Sequence, residues 1–441
     1  MNRVMLVAGC FSILIIASAE VAAEEFVSRD EFQAFKVEFQ KFKEQNEALK
    51  AANEKLQAQV TNFQTIRSTT PIETTLDKLS LAQENHISAE LADVKSGTTK
   101  FLLTGAAVVS YESHEGDVSS FSTEFDPIFI WKLSDKLSFE AEVPLTVDGN
   151  TTGVELEYAD IAYSASDWLT LQAGKFKSPF GLYNMRFDPA WINKFSDAPL
   201  VYDDGASGLV PHQELGVMAS GAVEAGPGKL KYNVYVSNGM RVETADPGFF
   251  GLLINNDADN NRAKGVGGRL GYIPLPCLEF GVSGEFTRNV FDQGSNGDVP
   301  AHLLGVDFSF IHDFKWLQGT VDFKAEWIWS SVGNATYAIA GNPVAFNNNK
   351  RDGGYVQMAY RPTLINQAWV KNLELAVRYD RLNNPNPSAD TPPDAEFQRA
   401  DHDRFSIGVN YWLDASTVLK ADYERDSHDG RTFSLQYAVG F

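Results

Sequence analysis

The end of the chain, residues 431–441 (RTFSLQYAVGF), alternates strictly between two kinds of side chain. Because successive side chains of a β-strand point to opposite faces, this pattern predicts a strand with one apolar face and one face that is polar or small. The apolar face carries Phe433, Leu435, Tyr437, Val439 and Phe441. In a water-soluble sheet such a face needs a covering layer, so the fold depends on whether the preceding chain supplies one.

The preceding chain supplies further strands of the same kind and no helices to cover them. Most of these segments have the ~9–11 residues that a tilted strand needs to cross a bilayer. The sixteen predicted strands are 101–111, 120–132, 136–147, 153–164, 168–176, 214–223, 229–238, 265–273, 277–289, 301–312, 318–331, 353–361, 372–381, 403–413, 416–425 and 431–441.

Several segments carry ionised side chains on the face opposite the apolar one. In 372–381, Leu375 and Val377 point one way while Arg378 and Asp380 point the other. Ionised groups cannot pack in a dry core without a large cost, but they can line water. The predicted lumen-lining residues are Lys324, Glu326, Glu374, Arg378, Asp380, Lys420, Asp422 and Glu424.

Short and long connections alternate between these strands. Short turns on one side and long loops on the other are typical of outer-membrane barrels, and an even strand count puts both termini on the short-turn, periplasmic side. We therefore predict an all-β fold, a 16-stranded antiparallel transmembrane β-barrel over 100–441 in the bacterial outer membrane. The long connections are 177–213, 239–264, 332–352 and 382–402.

Composition is compatible with a barrel and argues against a helical membrane protein. The net charge is -21, and no stretch after the N-terminus approaches the ~20 uninterrupted apolar residues of a transmembrane helix. In barrel strands, apolar residues alternate with polar ones, so a search for long apolar runs does not detect them. We expect outer-membrane lipid and lipopolysaccharide as partners and no nucleic acid.

The pattern of residues at the N-terminus predicts that the protein is exported from the cytoplasm. Arg3 precedes an apolar run, and small residues follow it, so 1–23 is predicted to be a signal peptide. The alternative, a lipoprotein signal at Cys10, is disfavoured because the apolar run continues beyond that cysteine. Without the signal Cys277 is the one cysteine left, which excludes an internal disulfide.

Residues 24–66 predict a periplasmic α-helical coiled coil, followed by a linker at 67–99. Apolar residues recur there at spacings of three and four between Glu, Lys and Gln, as in a buried helical seam. The seam positions are Phe32, Phe35, Phe39, Phe42, Asn46, Leu49, Asn53, Leu56, Val60 and Phe63. The pattern does not choose three copies over two, and a single amphipathic helix against the barrel mouth is the alternative.

The connection 177–213 carries more apolar side chains than a solvated loop needs, and loops of this length are usually functional. We predict that it folds into the barrel and narrows the lumen. Lys175 falls on the outward face by alternation unless Gly174 marks a bulge. The alternative is that the loop charges are merely solvated. The predicted constriction residues are Lys175, Lys177, Arg186, Asp188, Lys194, Asp197, Asp203 and Asp204.

Three segments resemble the phosphate-selective porin O/P family: 174–181 (GKFKSPFG), 215–221 (LGVMASG) and 232–239 (YNVYVSNG). The resemblance implies a trimeric sixteen-stranded channel whose third loop folds inward. The expected lumen is nevertheless acidic, and a negative potential repels anions and concentrates cations. The acidic positions of that face are Glu140, Glu142, Glu155, Glu157, Glu279, Glu285, Asp307, Asp322, Glu326 and Asp422.

The predicted function is passive diffusion of small hydrophilic solutes or ions through a homotrimeric porin. The alternatives are an anion (phosphate)-specific channel and a structural tether that binds peptidoglycan or a periplasmic partner through the coiled coil. The glycine-rich 265–271 lacks the last glycine of a dinucleotide fingerprint, and 255–261 lacks the glycine and glutamate of a calcium loop. We expect no enzymatic activity, no cofactor and no metal.

Overall fold

The computed structural model describes residues 100–148, 151–203, 208–242, 252–253, 259, 261–291, 298–339, 342–346, 349–383, 401–427 and 430–441. The predicted signal peptide, coiled coil and linker, with all the seam residues from Phe32 to Phe63, lie outside the described residues.

The described chain is almost entirely extended. Its strands are β1 (Lys100–His114), β2 (Ser120–Lys132), β3 (Leu137–Glu142), β4 (Leu145–Asp148), β5 (Thr151–Val154), β6 (Tyr158–Ser166), β7 (Leu169–Lys177), β8 (Gln213–Ala225), β9 (Gly228–Ser237), β10 (Arg241–Val242), β11 (Leu252–Leu253), β12 (Gly265–Leu275), β13 (Leu278–Thr287), β14 (Ala301–Phe314), β15 (Gly319–Val332), β16 (Ala335–Ile339), β17 (Asn342–Phe346), β18 (Asn349–Arg361), β19 (Leu373–Asn383), β20 (His402–Trp412), β21 (Thr417–Asp426) and β22 (Gly430–Gly440).

Eighteen of these segments form one antiparallel sheet. β3 and β4 both pair with β2 and make one strand, interrupted near Pro144, which has no N–H to donate to the ladder. β5 and β6 make another, paired with β4 and β3. The sheet thus has sixteen strands, and pairing of β1 with β22 closes it. The predicted sixteen-stranded antiparallel barrel is confirmed.

The seam between β1 and β22 is completed by the last residue of the chain. Phe441 N donates to Gly105 O at 3.0 Å, and Gly105 N donates to Phe441 O at 3.1 Å. Gly105 has a φ of 149°, and a Cβ there would lie 1.9 Å from Asp126 O. The chain therefore needs glycine at this point of the seam.

Apolar and charged side chains separate onto opposite faces of the barrel, as the alternation predicts. Leu375 is 57% exposed on the outer face, whereas its strand neighbour Glu374 is 5% exposed and Arg378 1%. On β22, Leu435 points outward and Gln436 inward in the same way.

The described residues of the connection between β7 and β8, 178–203 and 208–212, lie against the inner face of the barrel and are called the inner loop below. It contains a π-helical turn (Tyr183–Phe187) and a 3-10 turn (Leu200–Tyr202). A short helix, α1 (Ala368–Lys371), joins β18 to β19. Among the described residues, no helix has the length and apolarity needed to cross a bilayer.

Candidate functional site

Two arginines of the barrel wall hold the middle of the inner loop. Arg378 donates from Nη1 to Asp197 O at 3.0 Å and from Nη2 to Ala198 O at 3.1 Å. Its guanidinium also stacks on Phe195. Arg404, on the neighbouring strand β20, hydrogen-bonds the same two loop residues. These bonds satisfy backbone carbonyls that would otherwise be buried without a donor.

Three further wall residues hold the same stretch. Lys194 Nζ of the loop donates to Glu374 Oε2 at 3.0 Å. The N–H and the hydroxyl of Ser196 both donate to Asp422 Oδ2 at 2.6 Å. Lys420 donates to two loop carbonyl oxygens at 2.5 and 2.9 Å. Wall charges of both signs therefore form hydrogen bonds with the loop.

The carboxylate of Glu326 organises the first turn of the loop. It accepts hydrogen bonds from Leu182 N at 3.1 Å, Tyr183 N at 2.8 Å, the Tyr202 hydroxyl at 2.5 Å and the Tyr355 hydroxyl at 2.8 Å. Burial, reinforced by Glu326, raises the pKa of the Tyr202 hydroxyl well above its ordinary range, so it stays a donor. One carboxylate thus fixes two separate parts of the loop.

The predicted lumen-lining residues all lie on the inner face, but the inner loop covers them. They were expected to line water. The structure instead leaves them from 0% to 7% exposed, because the loop packs on this wall. The residues concerned are Lys324, Glu326, Glu374, Arg378, Asp380, Lys420, Asp422 and Glu424.

The predicted constriction charges come together only in part. Lys177 Nζ lies 3.0 Å from Asp188 Oδ2 and 3.6 Å from Glu142 Oε2. Arg186 does not face a loop aspartate but pairs with Glu279 of β13 at 2.6 Å. Lys194 and Asp197 likewise turn to the wall, as described above.

The remaining three constriction residues lie elsewhere. Lys175 is buried and donates from Nζ to Leu156 O at 2.9 Å. Asp203 is exposed, and Asp204 lies outside the described residues. The structure therefore does not bring the predicted constriction residues together in one cluster.

A cavity of about 870 Å³ remains between the inner loop and the wall formed by the first strands. It reaches from Ser416 and Phe441, at the short-turn end, to Pro144. Lys177 is the one Lys or Arg among the described residues that line it. Its carboxylates are Glu124, Asp126, Glu140, Glu142, Glu157, Asp160, Asp188 and Asp197.

Several charged residues of the inner face were not among the site residues predicted from the sequence. Glu124 and Asp126 were detectable, because they alternate with Phe125 along β2 and so share the inner face. Arg404 and Arg269 were not singled out. Arg269 forms two hydrogen bonds to Asp307, at 2.8 and 2.6 Å, and no local pattern reveals a pair that spans nonadjacent strands.

Comparisons with known proteins agree with this architecture. Residues 304–432 match the family model described as phosphate-selective porin O and P. The chain is similar to OprB of Pseudomonas putida, with 10% identity and a TM-score of 0.50 over 80% of this chain and 96% of that one. At this identity the likeness shows the fold alone.

Two further solved structures are similar at lower scores. OmpF of Salmonella typhi is 13% identical, with a TM-score of 0.49 over 78% of this chain and 98% of that one. An anion-selective porin from Comamonas acidovorans is 11% identical, with a TM-score of 0.48 over 78% and 100%. No curated protein matches the chain.

Proposed function

We propose that this chain, whose residues 304–432 match the model of the phosphate-selective porin O and P family, is a water-filled outer-membrane channel that lets small solutes diffuse and prefers cations. The observation that supports the preference is the cavity beside the inner loop, where Lys177 is the one Lys or Arg among the described lining residues. Eight carboxylates line the same cavity, and one of them, Asp197, also pairs with Arg404. A negative lining in a low-dielectric wall concentrates cations and repels anions.

The alternative of an anion-specific channel finds less support in the inner face. An anion path needs basic side chains that are not already neutralised by carboxylates. Seven basic side chains of the described inner face and inner loop instead form ion pairs, and Lys175 and Lys420 donate to backbone carbonyls. The pairs are Lys177–Asp188, Arg186–Glu279, Lys194–Glu374, Arg269–Asp307, Lys324–Asp322, Arg378–Asp380 and Arg404–Asp197.

The test is the reversal potential of the purified protein in a planar bilayer across a KCl gradient. We expect a potential whose sign shows K⁺ to be more permeant than Cl⁻, and a larger effect at low salt, because salt screens the lining. The double variant Glu124→Gln/Asp126→Asn should reduce the preference. Strong anion preference in the wild-type protein would reject the proposal.

We also propose that the protein is a homotrimer whose predicted coiled coil, 24–66, holds the copies together in the periplasm. The apolar outer face supports insertion in the outer membrane, where lipid and lipopolysaccharide surround it. The family match favours a channel over an enzyme. A structural tether to peptidoglycan or another periplasmic partner stays a second role for the coiled coil, and it depends on residues outside the described range.

A further inference from the structure

The carboxylates on the wall of the acidic cavity follow one another at regular levels. On β2, Glu124 and Asp126 are two residues apart and both line the cavity. Glu142 of β3 stands in register with Ile128, the next inward residue of β2, and Glu140 lies two residues further towards the short-turn end. Four successive levels of this wall therefore carry a carboxylate. Glu124, Asp126, Glu142 and Glu140 are called the carboxylate ladder below.

The spacing of the ladder follows from strand geometry. A strand rises by ~3.3 Å per residue, so inward side chains two residues apart are separated by roughly 6.6 Å along the strand. Asp160 of β6 lies directly opposite Glu140 and adds a second carboxylate at that level. Directly opposed like charges destabilise a sheet. A solute with positive charges at a similar interval would relieve this repulsion at several levels at once.

The lysine of the cavity shows how this lining holds an ammonium group. Lys177 Nζ lies 3.0 Å from Asp188 Oδ2 and 3.6 Å from Glu142 Oε2. It also lies 5.7 Å from the centre of the Tyr158 ring, within the range of a cation–π contact. The Tyr158 hydroxyl donates to Glu140 Oε1 at 2.7 Å and so orients the next carboxylate of the ladder. Carboxylates and an aromatic face together therefore suit a primary ammonium on a carbon chain.

Two buried oxygens of the cavity lining have no hydrogen-bond donor. Glu142 is 9% exposed, and Lys177 Nζ, at 3.6 Å from its Oε2, is too distant to complete a hydrogen bond. Gln436 of β22 is 7% exposed; its Nε2 donates to Ser110 Oγ at 3.2 Å, and its Oε1 accepts no hydrogen bond. Buried acceptors are usually hydrogen-bonded, so these two oxygens favour a solute that brings N–H donors.

Apolar side chains lie among the charged ones and suit a carbon chain. Ile128, Met185 and Trp191 line the cavity together with the ladder. The cavity volume of about 870 Å³ is within the range of sites that hold small organic molecules. The lining therefore fits a solute that combines ammonium groups with methylene groups.

The lining disfavours a carboxylate on the solute. Lys177, the one Lys or Arg among the described residues that line the cavity, already pairs with Asp188. A basic amino acid would bring its own carboxylate beside the ladder, where like charges repel it. A diamine that lacks the carboxylate avoids this repulsion.

We propose that the acidic cavity is a binding site for linear polyamines on the solute path, with ammonium groups at successive carboxylates of the ladder and the carbon chain against the apolar lining. The inference rests on the proposed cation-preferring channel and names a class of solute for it. Because the ladder has several levels, affinity should rise with the number of ammonium groups along the chain.

The test measures how putrescine, spermidine, ornithine and Mg²⁺ each inhibit the K⁺ current of the full-length protein in a planar bilayer. Ornithine is putrescine with one added carboxylate, so the two form a matched pair. We expect putrescine to halve the current at a concentration at least about tenfold lower than ornithine, because the ladder repels the added charge. Spermidine, with a third ammonium group, should act at a lower concentration still. Mg²⁺ controls for charge alone and should need at least about tenfold more than putrescine, since it gives up its water reluctantly.

Glu140→Gln and Asp126→Asn should each raise the putrescine concentration for half inhibition by at least about threefold, and their K⁺ current shows that they fold. Glu224→Gln, whose native side chain is 79% exposed at the end of β8, is the control and should leave inhibition unchanged. Equal inhibition by putrescine and ornithine, or by putrescine and Mg²⁺, would overturn the polyamine site and leave the cation preference standing. A reversal potential that shows anion preference would reject the channel proposal itself, and this inference with it.

Discussion

The guanidinium carbon of Arg378 lies 4.7 Å from the centre of the Phe195 ring, in a contact where the arginine side chain has no exposed surface. A buried charge of the barrel wall thus contacts the inner loop directly. That charge is matched by Asp380, whose Oδ2 lies 2.8 Å from Arg378 Nε. The inner loop is therefore fixed to the charged inner face of the barrel by buried contacts.

Replacing Arg378 with Met should destabilise the protein by about 3–5 kcal/mol, because it removes the cation paired with the buried Asp380 and the donor to the Asp197 carbonyl. The measurement is the free energy of unfolding in urea. Arg381→Met is the matched control on the same strand. Its side chain is 39% exposed, so water screens its ion pair with Asp403 and the free energy of unfolding should change far less than in Arg378→Met. Equal effects of the two variants would contradict the role of Arg378 in holding the inner loop on the barrel wall.

Glu326→Ala should release the first turn of the inner loop. It removes the acceptor of four hydrogen bonds and leaves buried donors unsatisfied, at about 1–3 kcal/mol for each donor that finds no water. We expect a lower free energy of unfolding and larger fluctuations of single-channel current. Glu155→Ala, on an exposed segment, should change neither quantity. A steady, unchanged current in Glu326→Ala would show that the carboxylate does not hold the loop.

Lys177→Gln should increase the preference for cations, because it removes the one Lys or Arg among the described residues that line the acidic cavity. A unit charge a few ångströms from a permeant ion is worth up to about 4 kcal/mol before screening. We therefore expect the K⁺ to Cl⁻ permeability ratio to rise by at least about twofold in low salt. Lys136→Gln, in an exposed turn, is the control. A fall in the ratio would mean that ions do not pass this cavity.

Leu375→Arg tests the outer face. Leu375 is 57% exposed on β19 and points away from the lumen. An arginine facing lipid near the bilayer midplane costs about 2–4 kcal/mol. Leu133→Arg, in the exposed turn after β2, should cost little, and the comparison is made by unfolding in lipid vesicles. A neutral effect at position 375 would argue that this face does not meet hydrocarbon.

Deletion of residues 24–67 tests the predicted coiled coil. Because the seam is expected to join copies of the chain and not to line the pore, the variant should dissociate more readily while keeping its conductance. The measurement combines chemical cross-linking with bilayer recordings. A channel that closes on deletion would show that this segment acts on the pore itself.

The strands were predictable because alternation is local. Each of the sixteen predicted segments overlaps an observed strand, and 120–132 coincides with β2. The break near Pro144 was not predicted, since the alternation continues through it. Alternation along one strand shows which face each residue occupies. It does not show where the hydrogen-bonded pairing with the neighbouring strand is interrupted.

The inner face was harder to predict because its environment is decided by the loop. Alternation correctly put Glu374 and Asp422 inside the barrel. It could not tell that Lys194 and Ser196, far away in sequence, would cover them. For the same reason the water-lined surface was expected along the covered wall, while the described cavity lies beside β2 and β3.

The hydrogen bonds between Gly105 and Phe441 join the first strand of the barrel to the residue that follows β22. A fragment without β22 cannot make this join, so the ring closes only when every strand is present. Until then both rims of the sheet offer bare N–H and C=O groups to any other extended chain. The topology therefore favours a partner that shields those rims before closure, or delivery of the chain in an unfolded state.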